Sequence, residues 1–155
     1  MDLIDPTHDS GRPGLLPAAA GTAAMSTREA FAAVLIAGAR ADGTVSAHEA
    51  NLIEQEVAAM RLFRDCSPET LQSLFTAIMA RIGREGGDAV LRAAAAAIPA
   101  RLCAPAFAKV IDLLYADGRT PPAEWRFART LQALLGIDDI VAARVVDVMR
   151  IKNAA

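Results

Sequence analysis

Apolar residues recur at helical spacing along most of this chain, and this periodicity constrains the fold more than any other feature. From Ser26 onward, seven segments place apolar residues three or four positions apart, and none alternates with the period of two typical of a half-buried strand. Thirty-five alanines among 155 residues favour helices further. The sequence therefore predicts an all-α fold, a compact bundle of about seven helices.

Capping signals and helix breakers give the predicted boundaries. Ser26 and Ser46 are each followed three residues later by Glu, the capping-box pattern, and Ser67 precedes a proline at a first helical position. The predicted helices span about 27–41, 47–60, 68 to the glycines at 83–87, 88–98, 105 onward, 122 onward and 139–151.

The same periodicity predicts which side chains are buried. The richest apolar stripe lies on the third helix, and shorter stripes lie on the others. The predicted core residues of four helices are Leu52, Ile53, Val57 and Met60; Leu71, Leu74, Phe75, Ile78, Met79 and Ile82; Trp125, Ala128, Leu131 and Leu135; and Val141, Val145 and Val148.

The first 25 residues differ in composition from the rest. They contain three prolines and three glycines and lack a helical period, so we predict a disordered tail over 1–25 and one helical domain over 26–155. Three aspartates precede Arg12, which is not the order of a secretory signal. Met25 directly precedes a capping box and is an alternative start of translation.

Charge, cysteine content and apolar run length limit the environment and the partners. The net charge of −2 and the scattered arginines argue against nucleic-acid binding. The longest apolar run is nine residues, which predicts no transmembrane segment. Cys66 and Cys103 stand 37 residues apart without neighbouring ligands, which argues against a disulfide or a zinc site. We expect a soluble, cytoplasmic protein.

One loop occurs twice. Residues 41–49 read ADGTVSAHE and residues 116–124 read ADGRTPPAE, with an Asp and a Glu seven positions apart in both copies. In each copy a predicted helix ends at Asp-Gly and the Glu falls in the first turn of the next helix. The chain thus contains two pseudo-repeated helix-loop-helix hairpins.

These carboxylates have a structural and a functional interpretation. Gly after a helix is a common stop signal, and Glu49 completes an ordinary capping box. However, Asp at a helix C-terminus faces the negative end of the helix dipole, and Glu124 lies four rather than three residues after Thr120. The two interpretations therefore carry similar weight.

If the hairpins pack together, four carboxylates form one cluster that attracts a hard divalent cation, Ca²⁺ or Mg²⁺. The predicted ligands are Asp42, Glu49, Asp117 and Glu124. Each loop resembles the second half of an EF-hand but lacks the opening acidic ligands, so neither loop alone can enclose Ca²⁺. Any metal site must be shared between the two loops.

The repeated Ala-Asp-Gly loop ending in Glu, within an all-helical chain of this size, resembles the tellurite-resistance TerB-like family. The resemblance covers about residues 28–150 and includes the Leu-Leu-Gly-Ile run at 134–137. It implies a compact bundle whose acidic loops share a surface proposed for metal binding, in proteins linked to tellurite, oxyanion and general stress resistance without an established catalytic activity. The second copy departs from the pattern at Arg119, Pro121 and Pro122.

The sequence leaves three kinds of function open. A non-enzymatic module with an acidic divalent-cation site is the first expectation. The alternative is an interaction scaffold whose acidic face docks a protein partner without metal. An enzyme ranks third, because no nucleophile, phosphate loop or glycine-rich cofactor motif accompanies the carboxylates.

Overall fold

The computed structural model describes residues 24–41, 43, 45, 47–116 and 122–154. Across these residues the fold is all-α, with seven helices and no strand, which confirms the predicted fold class. The helices are α1 (Thr27–Ala39), α2 (Ala47–Ala58), α3 (Pro68–Glu85), α4 (Gly87–Ala97), α5 (Ala100–Tyr115), α6 (Pro122–Leu134) and α7 (Asp139–Lys152).

The predicted tail lies outside the described residues except for its last two positions. Of these, Met25 is half-buried and packs against the core. The disorder predicted for residues 1–25 stays a prediction. Within the described part of the chain, every helix is too short or too polar to traverse a lipid bilayer.

Side-chain caps begin several helices, at Ser26 and Ser67 as the sequence predicts, and also at Asp138, which was not predicted as a cap. The Ser26 side chain accepts a hydrogen bond from the Glu29 amide at 3.2 Å, and the Glu29 carboxylate accepts one from the Ser26 amide at 2.7 Å. Ser67 caps α3 ahead of a proline, and Asp138 caps α7 by accepting from the Ile140 amide at 2.9 Å. These bonds satisfy amides that a helix N-terminus otherwise leaves without partners.

The core is built around α1. Every residue from Ala30 to Ile36 is buried, and the helix contacts α2, α3, α4, α5 and α6. A helix that is apolar on all sides is stable only when other elements surround it. Phe31 packs edge to face on Phe63, with ring centroids 6.3 Å apart, which ties the loop after α2 to this helix.

One helix boundary was predicted wrongly. The fifth helix starts at Ala100 rather than at Pro105, and Pro105 lies inside it. A proline beyond the first turn removes the hydrogen bond to the carbonyl four residues earlier, and its ring crowds that carbonyl. Since Leu102 and Cys103 pack against the core, the extra helical turn buries apolar surface that offsets the loss.

The burial predicted from periodicity is only partly correct. Leu71 and Ile78 of α3 are buried, and Leu74, Phe75 and Ile82 pack partly against the core. The predicted core residues Leu52, Met79, Trp125, Val141 and Val148 are instead exposed. Periodicity shows that a helix has an apolar side, but it does not show how much of that side other helices cover.

A polar cluster fixes the C-terminal end of α7 to α5. The Asp112 carboxylate accepts hydrogen bonds from Lys152 Nζ at 2.6 Å and from Asn153 Nδ2 at 2.9 Å, and Lys109 Nζ lies 3.7 Å away. Burial raises the pKa of Asp112, but these hydrogen bonds and positive charges outweigh it and hold the pKa below its ordinary value.

We predict that Phe31→Ala lowers the free energy of unfolding by about 3–5 kcal/mol, because it leaves a cavity against the central helix. Met79→Ala, on the exposed side of α3, should cost less than about 1 kcal/mol. Urea denaturation of the two variants measures the difference. Equal losses would contradict the central position assigned to α1.

We also predict that Asp112→Asn destabilises the protein at neutral pH by about 1–3 kcal/mol, because it removes charge-assisted hydrogen bonds. Folding lowers the pKa of Asp112, so the ionised carboxylate stabilises the folded state. This stabilisation is fully present above the unfolded pKa of about 3.9, and it is lost as the pH falls through the lower pKa of the folded state. Wild type and variant should therefore converge in stability only in acid. Urea titrations at a series of pH values test this, and a constant difference down to strong acid would contradict it.

Candidate functional site

One pocket lies among α1, α2, α5 and α6. It has a volume of about 270 Å³ and lies where α1 and α5 end and where α2 and α6 begin. Its lining residues are Gly38, Ala39, Glu49, Leu52, Ile53, Leu113, Leu114, Ala116 and Glu124. The pocket thus brings together Glu49 and Glu124, the glutamates of the two repeated loops.

In the first loop, the described glycine forms a turn after α1, as the Asp-Gly stop signal predicts. The Gly43 amide donates to the Arg40 carbonyl at 3.0 Å, and Gly43 has φ +146°, a conformation that favours glycine. The glycine of the Asp-Gly pair is therefore used as a turn residue. The two predicted aspartate ligands, Asp42 and Asp117, lie outside the described residues.

The two glutamates have different environments. Glu124, in the first turn of α6, is 8% exposed and is the one buried charged residue in the described part of the chain. Glu49, in the first turn of α2, is exposed at the pocket. Both carboxylates lie near the positive end of a helix dipole, which stabilises their negative charge. The site therefore combines a carboxylate enclosed by the fold with one open to solvent.

The walls of the pocket are apolar. Leu52, Leu113 and Leu114 contribute branched side chains, and Leu52 is exposed rather than in the core as predicted. Charges interact more strongly beside such low-dielectric surfaces than in water. These leucines were not predicted as site residues, because their apolar spacing is equally typical of a core.

Small residues on α1 make the close packing at the site possible. A Cβ atom added to Gly38 would lie 3.1 Å from Val110 Cγ1 and 3.6 Å from Phe127 Cε1. Glycine therefore lets the last turn of α1 approach α5 and α6 closely. A glycine inside a predicted helix is the sequence signal that could have indicated this contact.

The described residues do not form a complete metal site by themselves. Within them, no group of three or more His, Cys, Asp or Glu side chains is placed to hold a metal ion. Glu49 and Glu124 supply two of the four predicted ligands to one pocket, and the other two lie outside the described residues. Cys66 and Cys103 are free thiols, half-buried and not joined in a disulfide.

Comparisons with protein families, with curated proteins and with solved structures gave no match to this chain. The TerB-like resemblance therefore stays a prediction from the repeated loop.

We predict that Gly38→Leu destabilises the protein by about 1–3 kcal/mol, because the new side chain collides with Val110 and Phe127. Gly83→Leu is the matched control: Gly83 is an exposed helical glycine with nothing within 4 Å of an added Cβ, so higher helix propensity should leave stability unchanged or raised. Thermal melts of both variants test the contact. A neutral Gly38→Leu variant would contradict the close approach at this residue.

Proposed function

We propose that this chain is a non-enzymatic, TerB-like module that holds a divalent cation between its two repeated loops. One observation carries the proposal: Glu49 and Glu124, the last residues of the two loop copies, line the same pocket. Asp42 and Asp117 precede them by seven residues in the sequence and are the proposed remaining ligands.

The chemistry of the donors indicates which cation fits. Carboxylate oxygens are hard ligands that bind Ca²⁺ or Mg²⁺. Mg²⁺ retains several waters and needs only one or two carboxylates, whereas Ca²⁺ takes six to eight oxygen ligands. A site with Glu49 and Glu124 at its centre therefore suits Mg²⁺, and the addition of both aspartates would bring it closer to the requirement of Ca²⁺.

The proposed biological role follows from the family resemblance. We place the module in tellurite, oxyanion or general stress resistance, acting by binding rather than by catalysis. A doubly charged oxyanion is repelled by bare carboxylates, so a bound cation would first have to invert the local field. In this proposal, the cation therefore binds first, and the anion or a partner binds afterwards.

The apolar walls support a second candidate function. Leu52, Leu113 and Leu114 flank the carboxylates, so the pocket also suits a Lys or Arg side chain of a protein partner. Such a side chain has an apolar stem that packs on leucine and a cationic head that pairs with carboxylate. In this alternative the acidic face docks a partner without metal.

We predict that Mg²⁺ or Ca²⁺ raises the melting temperature of the wild type, with a gain in stability of about 2.7 kcal/mol at 100 times the Kd. Asp42→Asn, Asp117→Asn, Glu49→Gln and Glu124→Gln should each reduce this gain. The two Asn variants should melt at the wild-type temperature or higher without cation, because each removes a charge unfavourable at a helix C-terminus. Melts with and without cation, together with calorimetric titration, give both quantities.

Glu54→Gln is the control, because Glu54 lies on the same helix as Glu49 but does not line this pocket. It should keep the full response to cation. A wild type that responds to no divalent ion would remove the metal proposal and favour partner docking. Asn variants that melt lower in the absence of cation would identify Asp42 and Asp117 as structural capping residues.

A further inference from the structure

The outer side of α7 carries an apolar stripe that no described part of the chain covers. Its exposed fractions are 63% for Ile140, 39% for Val141, 58% for Val148 and 73% for Ile151. With 3.6 residues per turn, these four side chains fall on one side of the helix. The stripe extends over three turns, about 16 Å.

This stripe is distinct from the side of α7 that holds the helix in the bundle. Ala142 is buried, and Val145, Val146 and Met149 pack partly against the core. These four residues lie on the side of α7 that faces α5. The helix thus has two apolar sides, one covered by the fold and one exposed.

The charges along α7 are arranged with opposite signs at its two ends. Asp138 and Asp139 stand at the beginning, and Arg150 and Lys152 stand in the last turn. Lys152 already pairs with Asp112 of α5 and is not counted here. Two such helices placed antiparallel would still set the acidic beginning of one beside Arg150 of the other, and would oppose their helix dipoles. The pattern is therefore complementary to a second copy of itself.

A charged residue at the centre of the stripe fits the same arrangement. Arg144 lies between the exposed apolar residues and forms no ion pair within the described part of the chain, whereas Asp147 pairs with Arg150 at 3.2 Å on the exposed surface. Along the sequence, Arg144 and Asp147 lie at equal distances on either side of the midpoint between residues 145 and 146. Ile140 and Ile151 also lie at equal distances on either side of it. An antiparallel partner centred at that midpoint places Arg144 opposite Asp147, and Ile140 opposite Ile151.

We propose that the exposed stripe of α7 binds the α7 stripe of a second copy of this chain, antiparallel across a two-fold axis. Such an interface is isologous, because the same patch is used on both copies. One pair of short helices buries less than the roughly 1,600 Å² of a standard interface, so we expect a Kd in the micromolar range or weaker. None of the pocket-lining residues lies on α7, so this inference does not depend on the proposed function.

A membrane surface fits this stripe less well than a second copy. Helices that lie on anionic membranes carry basic residues along the polar side. Here Asp138, Asp139 and Asp147 lie along the same helix as the basic residues, and they would repel anionic lipid. The alternating charges favour a partner that carries both signs.

We predict that sedimentation equilibrium shows a reversible monomer–dimer equilibrium that depends on protein concentration. Val148→Asp should weaken the dimer by about 100-fold, because it places a charge without a partner in the apolar contact. Met79→Asp is the matched control, with the same charge placed on an exposed apolar residue of α3. It should leave the equilibrium unchanged, and circular dichroism should show both variants folded.

Two further variants test the antiparallel geometry. Arg144→Asp and Asp147→Arg should each weaken the dimer, and the double variant should restore it, because the charges are exchanged across the two-fold axis. In a background with Cys66→Ala and Cys103→Ala, an Ile140→Cys chain should form a disulfide with an Ile151→Cys chain but not with itself.

A chain that stays monomeric up to millimolar concentration overturns the proposal. So does a dimer that is insensitive to Val148→Asp, because its interface lies elsewhere. Ile140→Cys chains that link preferentially to each other would indicate a parallel pair and contradict the antiparallel geometry. If the wild-type chain is monomeric and binds phosphatidylserine vesicles, and if Val148→Asp weakens that binding, the stripe binds a membrane surface instead of a second copy.

Discussion

Complete burial of α1 is the constraint on which the rest of the structure depends. Its residues from Ala30 to Ile36 are too apolar to face water, so five other helices must surround them. Surrounding one helix brings α5 alongside it, and α2 and α6 then begin next to the ends of α1 and α5. The pocket with Glu49 and Glu124 lies at that junction and is a geometric result of how the core is built.

Much of the fold could be predicted from local signals. Ser26 and Ser67 begin helices through hydrogen bonds to amides within three residues, so the sequence alone indicates them. Pro105 was misleading because its cost depends on the packing of the preceding turn. The predicted burial of Val148 was wrong for a related reason. The positions of the neighbouring helices determine which apolar side of α7 is covered, and a local sequence pattern does not specify those positions.

For the candidate site, the sequence predicted that the glutamates of the two loops share one location. The repetition of Asp-Gly and Glu at equal spacing indicated two matching half-sites, and the two glutamates do line one pocket. The difference in their burial was not predictable, because it depends on how the helices around each glutamate pack. The leucine walls were missed since an apolar residue at helical spacing is equally consistent with a core and with a pocket.

The unequal burial of the two glutamates affects how the proposed site would work. Glu124 is enclosed by the fold, so the position of its side chain changes little. Glu49 is exposed at the pocket, so its carboxylate is accessible from solvent. In the proposed site, Glu124 would therefore be the carboxylate held by the core, and Glu49 the carboxylate that a cation reaches first from solvent. Substitutions at Glu124 should therefore affect the packing of the fold as well as cation affinity, because this side chain is enclosed. Substitutions at Glu49 should affect cation affinity with a smaller change in stability, because this side chain is exposed.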